Sequence, residues 1–184
     1  MRTGKSTTAR KPHPLNSAKL DELALSYVGR FATTRGKLEA YLARKIRERG
    51  WDDEAEPQPA AIAARFVELG YIDDAAWARG RTDGLLRRGY GPRRVAQALG
   101  AAGIEPELRE SVRPAEAQAR QAALAFARRR RFGPFGSEDS DRERREKQLA
   151  AMVRAGHGFD TARAVVDAAS DRAAEAWAAE AQES

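Results

Sequence analysis

The chain has 184 residues, no cysteine, and 33 Lys+Arg against 27 Asp+Glu, for a formal net charge of +6. That excludes disulfide frameworks, thiolate zinc sites and cysteine nucleophiles, and no apolar run approaches the ~20 residues of a membrane span. Alanine supplies 38 residues, while Leu, Ile, Val and Phe together supply 30, a bias toward helices with thin, alanine-rich contacts.

Charge is distributed unevenly along the chain. Residues 1–19 carry +5 and residues 52–74 carry −6. The first stretch has no acid and almost no apolar face before Leu15, so 1–17 is expected to be a disordered basic arm. Arg2, Lys5, Arg10 and Lys11 could add nonspecific DNA affinity to it. Ser17 is a good N-cap for a first helix carrying Leu20, Leu23, Ala24, Tyr27, Val28 and Phe31 at i, i+3, i+4, i+7 spacing. Thr34 can cap a second helix with Leu38, Tyr41, Leu42 and Ile46, ending at Gly50. The acidic stretch 52–59 reads as a solvated loop. A third helix carries Ile62, Phe66 and Leu69.

Asp73 can cap a fourth helix through Trp77, Ala78, Leu85 and Leu86. Pro92 suits the first position of a fifth, with Val95 and Leu99, ending at Gly103. Pro106 opens a sixth, stopped by Pro114. A last set runs through Ala122, Ala123 and Phe126, then Leu149, Met152 and Val153, then Ala162, Val165 and Val166. Asp160 or Thr161 would cap the final helix, which would continue through Trp177 before fraying.

Nine helices in three sets of three suggest a repeat. Ile46-x-x-x-Gly50-Trp51 matches Leu99-x-x-x-Gly103-Ile104, 53 residues on. Arg87-Arg88-Gly89-Tyr90-Gly91-Pro92 matches Arg129-Arg130-Arg131-Phe132-Gly133-Pro134. Gly103-Ile104 is paired with Gly158-Phe159, although counting back four from Gly158 reaches Arg154 rather than an apolar residue. Units of this size bury too little alone and must stack. The expected fold is all-α, an elongated, curved array of three tandem three-helix repeats. They occupy 18–70, 71–114 and 115–172, with a charged insertion at 136–147 and a helix end and tail at 173–184.

The pattern Ala24-Leu25-Ser26-Tyr27 with Gly50-Trp51, the segment Leu69-Gly70-Tyr71-Ile72-Asp73-Asp74-Ala75-Ala76-Trp77-Ala78, and Arg88-Gly89-Tyr90-Gly91 with Leu99 to Ile104 carry a resemblance. Over roughly residues 18–170 the sequence resembles the RecX family, modulators of the RecA recombinase. The resemblance implies a cytoplasmic protein of recombinational repair and the SOS response, with no catalytic centre and no cofactor. It implies binding to RecA and to RecA filaments on single-stranded DNA, in the filament groove. Such binding would inhibit filament growth, ATPase and strand exchange. A monomer without membrane contact is expected.

Arginine dominates the candidate binding residues. Arg87, Arg88, Arg93 and Arg94 flank Tyr90 in a Gly-Tyr-Gly-Pro turn, where guanidinium beside a ring suits phosphate contact and base stacking. That turn also opens a helix whose first amides would favour an anion. Arg128, Arg129, Arg130 and Arg131 form a run of four. Arg30, Arg35, Arg44 and Arg47 bracket the second helix, although Arg44 and Glu48 are four apart and can simply pair. Trp51, Tyr71, Trp77 and Phe159 fall at repeat junctions and are expected in the core. Asp73-Asp74 reads as a helix start rather than a metal pair, and His13 and His157 have no sequence-local partner for acid–base work. The alternative is a sequence-nonspecific DNA-binding protein that acts without RecA, through the DNA phosphate backbone.

Overall fold

The computed structural model describes residues 13–136 and 141–181. Most of the basic arm, and residues 137–140 of the charged insertion, therefore lie outside the described residues. The described chain is built from α-helices and contains no named strand, only an isolated parallel bridge between Leu15 and Trp51. It divides into two compact units, Met1–Asp73 and Asp74–Ser184.

The first unit holds α1 (Ser17–Val28), α2 (Arg35–Arg49) and α3 (Pro59–Glu68). Its core is Leu15, Leu20, Ala24, Leu38, Leu42, Ala63, Phe66 and Ile72. The N-cap of α1 is Asn16, one residue before the expected Ser17, because its side chain accepts from the Lys19 amide. Ser17 is already helical and donates through its amide and hydroxyl to Asp53, at 3.0 and 2.7 Å. The acidic loop therefore closes over the start of α1. The Ser17 hydroxyl, then its amide, hold the Asp53 carboxyl below its ordinary pKa. Leu15 is fully buried, and its backbone pairs with Gly50 O and the Asp52 amide. The expected disordered arm thus stops short of residue 17, because Leu15 finds a core to enter.

The second unit holds α4 (Asp74–Arg87), α5 (Pro92–Gly100), α6 (Pro106–Ser111), α7 (Glu116–Arg130), α8 (Arg142–Arg154), α9 (Phe159–Val166) and α10 (Asp171–Glu180), with a 3-10 turn at Gly133–Phe135. It has two apolar clusters. One lies within α4–α6 around Ala78, Leu85, Val95, Leu99 and Ile104; the other lies within α7–α10 around Leu124, Phe126, Leu149, Met152 and Val165. Tyr90 packs against both. The final helix does not run on to Trp177. It stops at Val166, and α10 begins afresh with Ser170 as N-cap to the Ala173 amide. Residues 142–147 of the expected insertion form the first turns of α8.

The repeat landmark in the third set also moves. Gly50, Gly103 and Gly156 all have positive φ, at +84°, +72° and +98°. They end α2, the turn after α5, and the turn after α8, 53 residues apart each time. Glycine meets no Cβ penalty in this conformation. Gly156-His157, not Gly158-Phe159, is therefore the third copy, and Met152 stands where Ile46 and Leu99 stand in the others. The Ile104 amide reaches Leu99 O at 3.1 Å and the His157 amide reaches Met152 O at 3.2 Å. Phe159, expected in the core, is 55% exposed, and Tyr71 is 57% exposed. Trp51 and Trp77 are half-buried against their clusters.

Candidate functional site

Within the second unit, the α4–α6 set and the α7–α10 set meet along a seam of close backbone. The Gly91 amide donates to Ala155 O at 2.9 Å and the Arg93 amide to Gly156 O at 3.1 Å. His157 is fully buried, with Nε2 3.0 Å from Gly89 O. A Cβ on Gly91 would lie 2.3 Å from the Gly156 carbonyl carbon, so only glycine permits this approach. The first amides of α5, expected to attract an anion, are already used: Pro92 has none, that of Arg93 donates to Gly156 O and that of Arg94 to Gly91 O.

The seam opens on one side into a groove of about 440 Å³ lined by Arg88, Tyr90, Phe126, Arg129, Arg130, Ala151, Arg154 and Ala155. A second groove, about 620 Å³, shares Arg130, Ala151 and Arg154 and adds Arg131, Phe132, Gly133, Gly136, Arg144, Lys147 and Gln148. Together they form a cleft lined by Arg88, Arg129, Arg130, Arg131, Arg144, Lys147 and Arg154, with no carboxylate among the described lining residues. Lys147 Nζ pairs with Glu143 at 2.5 Å. Arg129 donates to the Arg88 carbonyl, which ties the end of α7 to the turn after α4. The Arg130 guanidinium carbon sits 5.9 Å from the Phe132 ring centroid, within cation–π range. Arg131 ends α7 in the left-handed conformation, with φ +55°.

The structure thus gathers Arg88, Tyr90, Arg129, Arg130 and Arg131 from the expected residues. It places the others elsewhere. Arg128 pairs with Glu175 of α10 and lies against Phe135. Arg87 is exposed but lines neither groove. Arg94 donates to Gln97 at 2.5 Å, and Arg93 lines a different hollow between α5 and α6. Arg144, Lys147 and Arg154 are not among the binding residues expected from the sequence. Their spacing of three and seven marks one face of a helix, but the stretch reads as an inserted loop until the α8 register is known.

In the first unit, Arg30, Arg44 and Arg47 line a groove of about 720 Å³ together with Lys37, Tyr27, Phe31 and Tyr41. Arg35 is exposed near the start of α2 and does not line it. Arg44 and Glu48 do pair, at 2.8 Å, and Lys45 reaches the same carboxylate at 2.8 Å. Lys45, then Arg44, lower the Glu48 pKa. Among the described residues no group of three or more His, Asp or Glu is placed to hold a metal, and no helix is long and apolar enough to cross a membrane.

Residues 73–112 match the family model described as RecX, second three-helix domain. A Myxococcus xanthus protein named Regulatory protein RecX is 32% identical over 170 residues, covering 86% of this chain and 89% of that protein. The Thermus thermophilus protein of the same name is 35% identical over 136 residues, covering 74% and 83%. The crystal structure of RecX from Lactobacillus salivarius superposes with a TM-score of 0.61 at 20% identity, over 79% of this chain and 90% of that one, which shows a shared fold. The α4–α6 set coincides with the family's own domain and the alignments run along most of both relatives, so the chain belongs to the RecX family of regulatory proteins.

Proposed function

We propose that this chain regulates the RecA recombinase by binding RecA filaments on single-stranded DNA, and that it restrains their growth, ATPase and strand exchange. The cleft of the second unit would meet the nucleoprotein's phosphates. One observation carries this reading beyond family membership. Seven cations from three separate stretches of chain converge on one cleft whose described lining residues include no acid, and the Lys147 pair with Glu143 offsets one of those charges. Like charges gathered this way are unfavourable unless an anionic partner is bound, and they raise its encounter rate. Tyr90 and Phe126 in the same cleft add ring surface beside the guanidinium groups.

The test is RecA ATPase on single-stranded DNA, titrated with this protein at two salt concentrations. Inhibition that weakens at the higher salt is expected. The double variant Arg130→Glu with Arg154→Glu should need at least tenfold more protein for the same inhibition while keeping its helical spectrum. Both residues are exposed, so the fold has no need of them. Undiminished inhibition by the variant would remove the cleft from the mechanism. Equal binding to bare and RecA-coated DNA would instead support a DNA-binding protein that acts without the recombinase.

A further inference from the structure

The first unit carries a second surface of cations and rings that the reading above does not use. Phe31 lies just past the end of α1 and is 56% exposed. Helical periodicity would have placed it in the core. Its ring instead continues a row: Phe31 to Tyr27 at 5.4 Å, and Tyr27 stacked on Tyr41 at 4.3 Å with the planes 18° apart. Both tyrosines are half-buried against the core, so the row is anchored at one end and open at the other. Arg30, Lys37, Arg44 and Arg47 line the same groove, and no acid is among its lining residues. Glu48, beyond the groove, is held by Arg44 and Lys45.

A single exposed phenylalanine is ordinary on a protein surface. One that ends a row of rings, tilted 51° against Tyr27, and is ringed by cations is not accounted for by folding. The ligand that needs a flat apolar face beside several positive charges is a strand with unpaired bases and a phosphate backbone. A duplex hides its base faces, and an acidic peptide has no need of a stack.

We infer that the first unit binds single-stranded nucleic acid directly. One base extends the row by stacking on Phe31, and the flanking phosphates are held by Arg30 and Arg47. This binding requires no recombinase.

The experiment is fluorescence anisotropy of a labelled oligothymidylate with the full chain alone at low salt, beside an abasic strand of equal length. Phe31→Ala should weaken thymidylate binding about tenfold, the loss of one stacked base, and leave abasic binding unchanged. Phe31→Trp should restore it. Arg30→Glu should weaken both strands. The inference is overturned if Phe31→Ala affects both strands equally or neither, or if an acidic peptide displaces the thymidylate strand as readily as unlabelled thymidylate does. Because RecA is absent from this assay, a failed ATPase titration leaves its outcome untouched, and the reverse also holds.

Discussion

His157 is the residue whose surroundings say most about the second unit. It sits fully buried in the seam, with the Phe126 ring 5.8 Å away. Gly89 O can only accept, so Nε2 must carry the proton, and Nδ1 is left as a buried lone pair with no partner. Protonating Nδ1 would place an unpaired N–H and a charge in a dry interior. Burial accordingly lowers the His157 pKa from its ordinary 6.5, against the weaker opposing effect of the Gly89 carbonyl. A base with a depressed folded-state pKa contributes its stability in full above the unfolded value. That contribution is lost as pH falls from about 6.5 through the folded-state pKa, because the unfolded chain binds the proton first. Denaturation midpoints should therefore fall on acidification across that window, by at most about 1.4 kcal/mol per pH unit. His157→Leu should flatten this dependence relative to the parent protein, and parallel curves for the two would show that the imidazole takes up its proton equally in both states. In the sequence, His157 stands between two glycines and has no sequence-local partner. Its burial follows only from Gly91 and Gly156, which let two backbones touch, and no local pattern reports a contact between residues 68 apart.

At the scale of elements, some local signals hold and others shift: the cap of α1 is Asn16 rather than Ser17, and the cap of α9 is Gly158 rather than Asp160 or Thr161. Thr34 caps α2 by accepting from the Lys37 amide at 3.1 Å, and Pro92 and Pro106 open α5 and α6. These signals rest on neighbours in sequence. The break between α9 and α10 does not. Asp167-Ala168-Ala169 contains no glycine or proline, so helix propensity alone would carry the chain through. The stop coincides with the Asp167 carboxylate being gripped by Arg145 of α8, at 2.6 and 2.5 Å. Arg145, and then Arg163, also hold the Asp167 pKa low. Past the break, α10 folds back onto α7. It buries Ala174 and Ala178, and Arg120 lies 4.6 Å from the Trp177 ring centroid and donates to the Trp177 carbonyl at 2.6 Å. This helix belongs to the core rather than to a fraying tail. Ser170→Ala removes its cap and should cost about 1 kcal/mol. Ending the chain at Ala169 should cost several-fold more, seen as a lower melting midpoint and faster amide exchange in α7. Unchanged exchange in α7 would mean that α10 merely rests on the surface. The candidate cleft was half legible for the same reason. Arg88 and Arg129 to Arg131 stand in conspicuous runs, whereas Arg144, Lys147 and Arg154 gain meaning only once α8 sets them on one face.

For the whole molecule, the arginine excess becomes a question of how many cations meet phosphate. Arg128, Arg142 and Arg145 are tied to Glu175, Glu146 and Asp167, so composition overstates the number available. Arg130 and Arg154 have no ion pair among the described residues and line both grooves of the cleft. Each cation that displaces a counterion from a single strand contributes about 0.7 to the slope of log affinity against log salt. If both touch phosphate, Arg130→Gln with Arg154→Gln should make that slope shallower by about 1.4 for binding to a RecA-coated strand. Arg128→Gln should leave it unchanged, because that guanidinium is already spent on Glu175. The measurement is filament binding followed by anisotropy at a series of salt concentrations from 50 to 200 mM, in the range where such slopes are read. A slope that responds to Arg128 but not to Arg130 and Arg154 would place the phosphates on the α10 side of α7, and the cleft would then have to serve a protein surface instead.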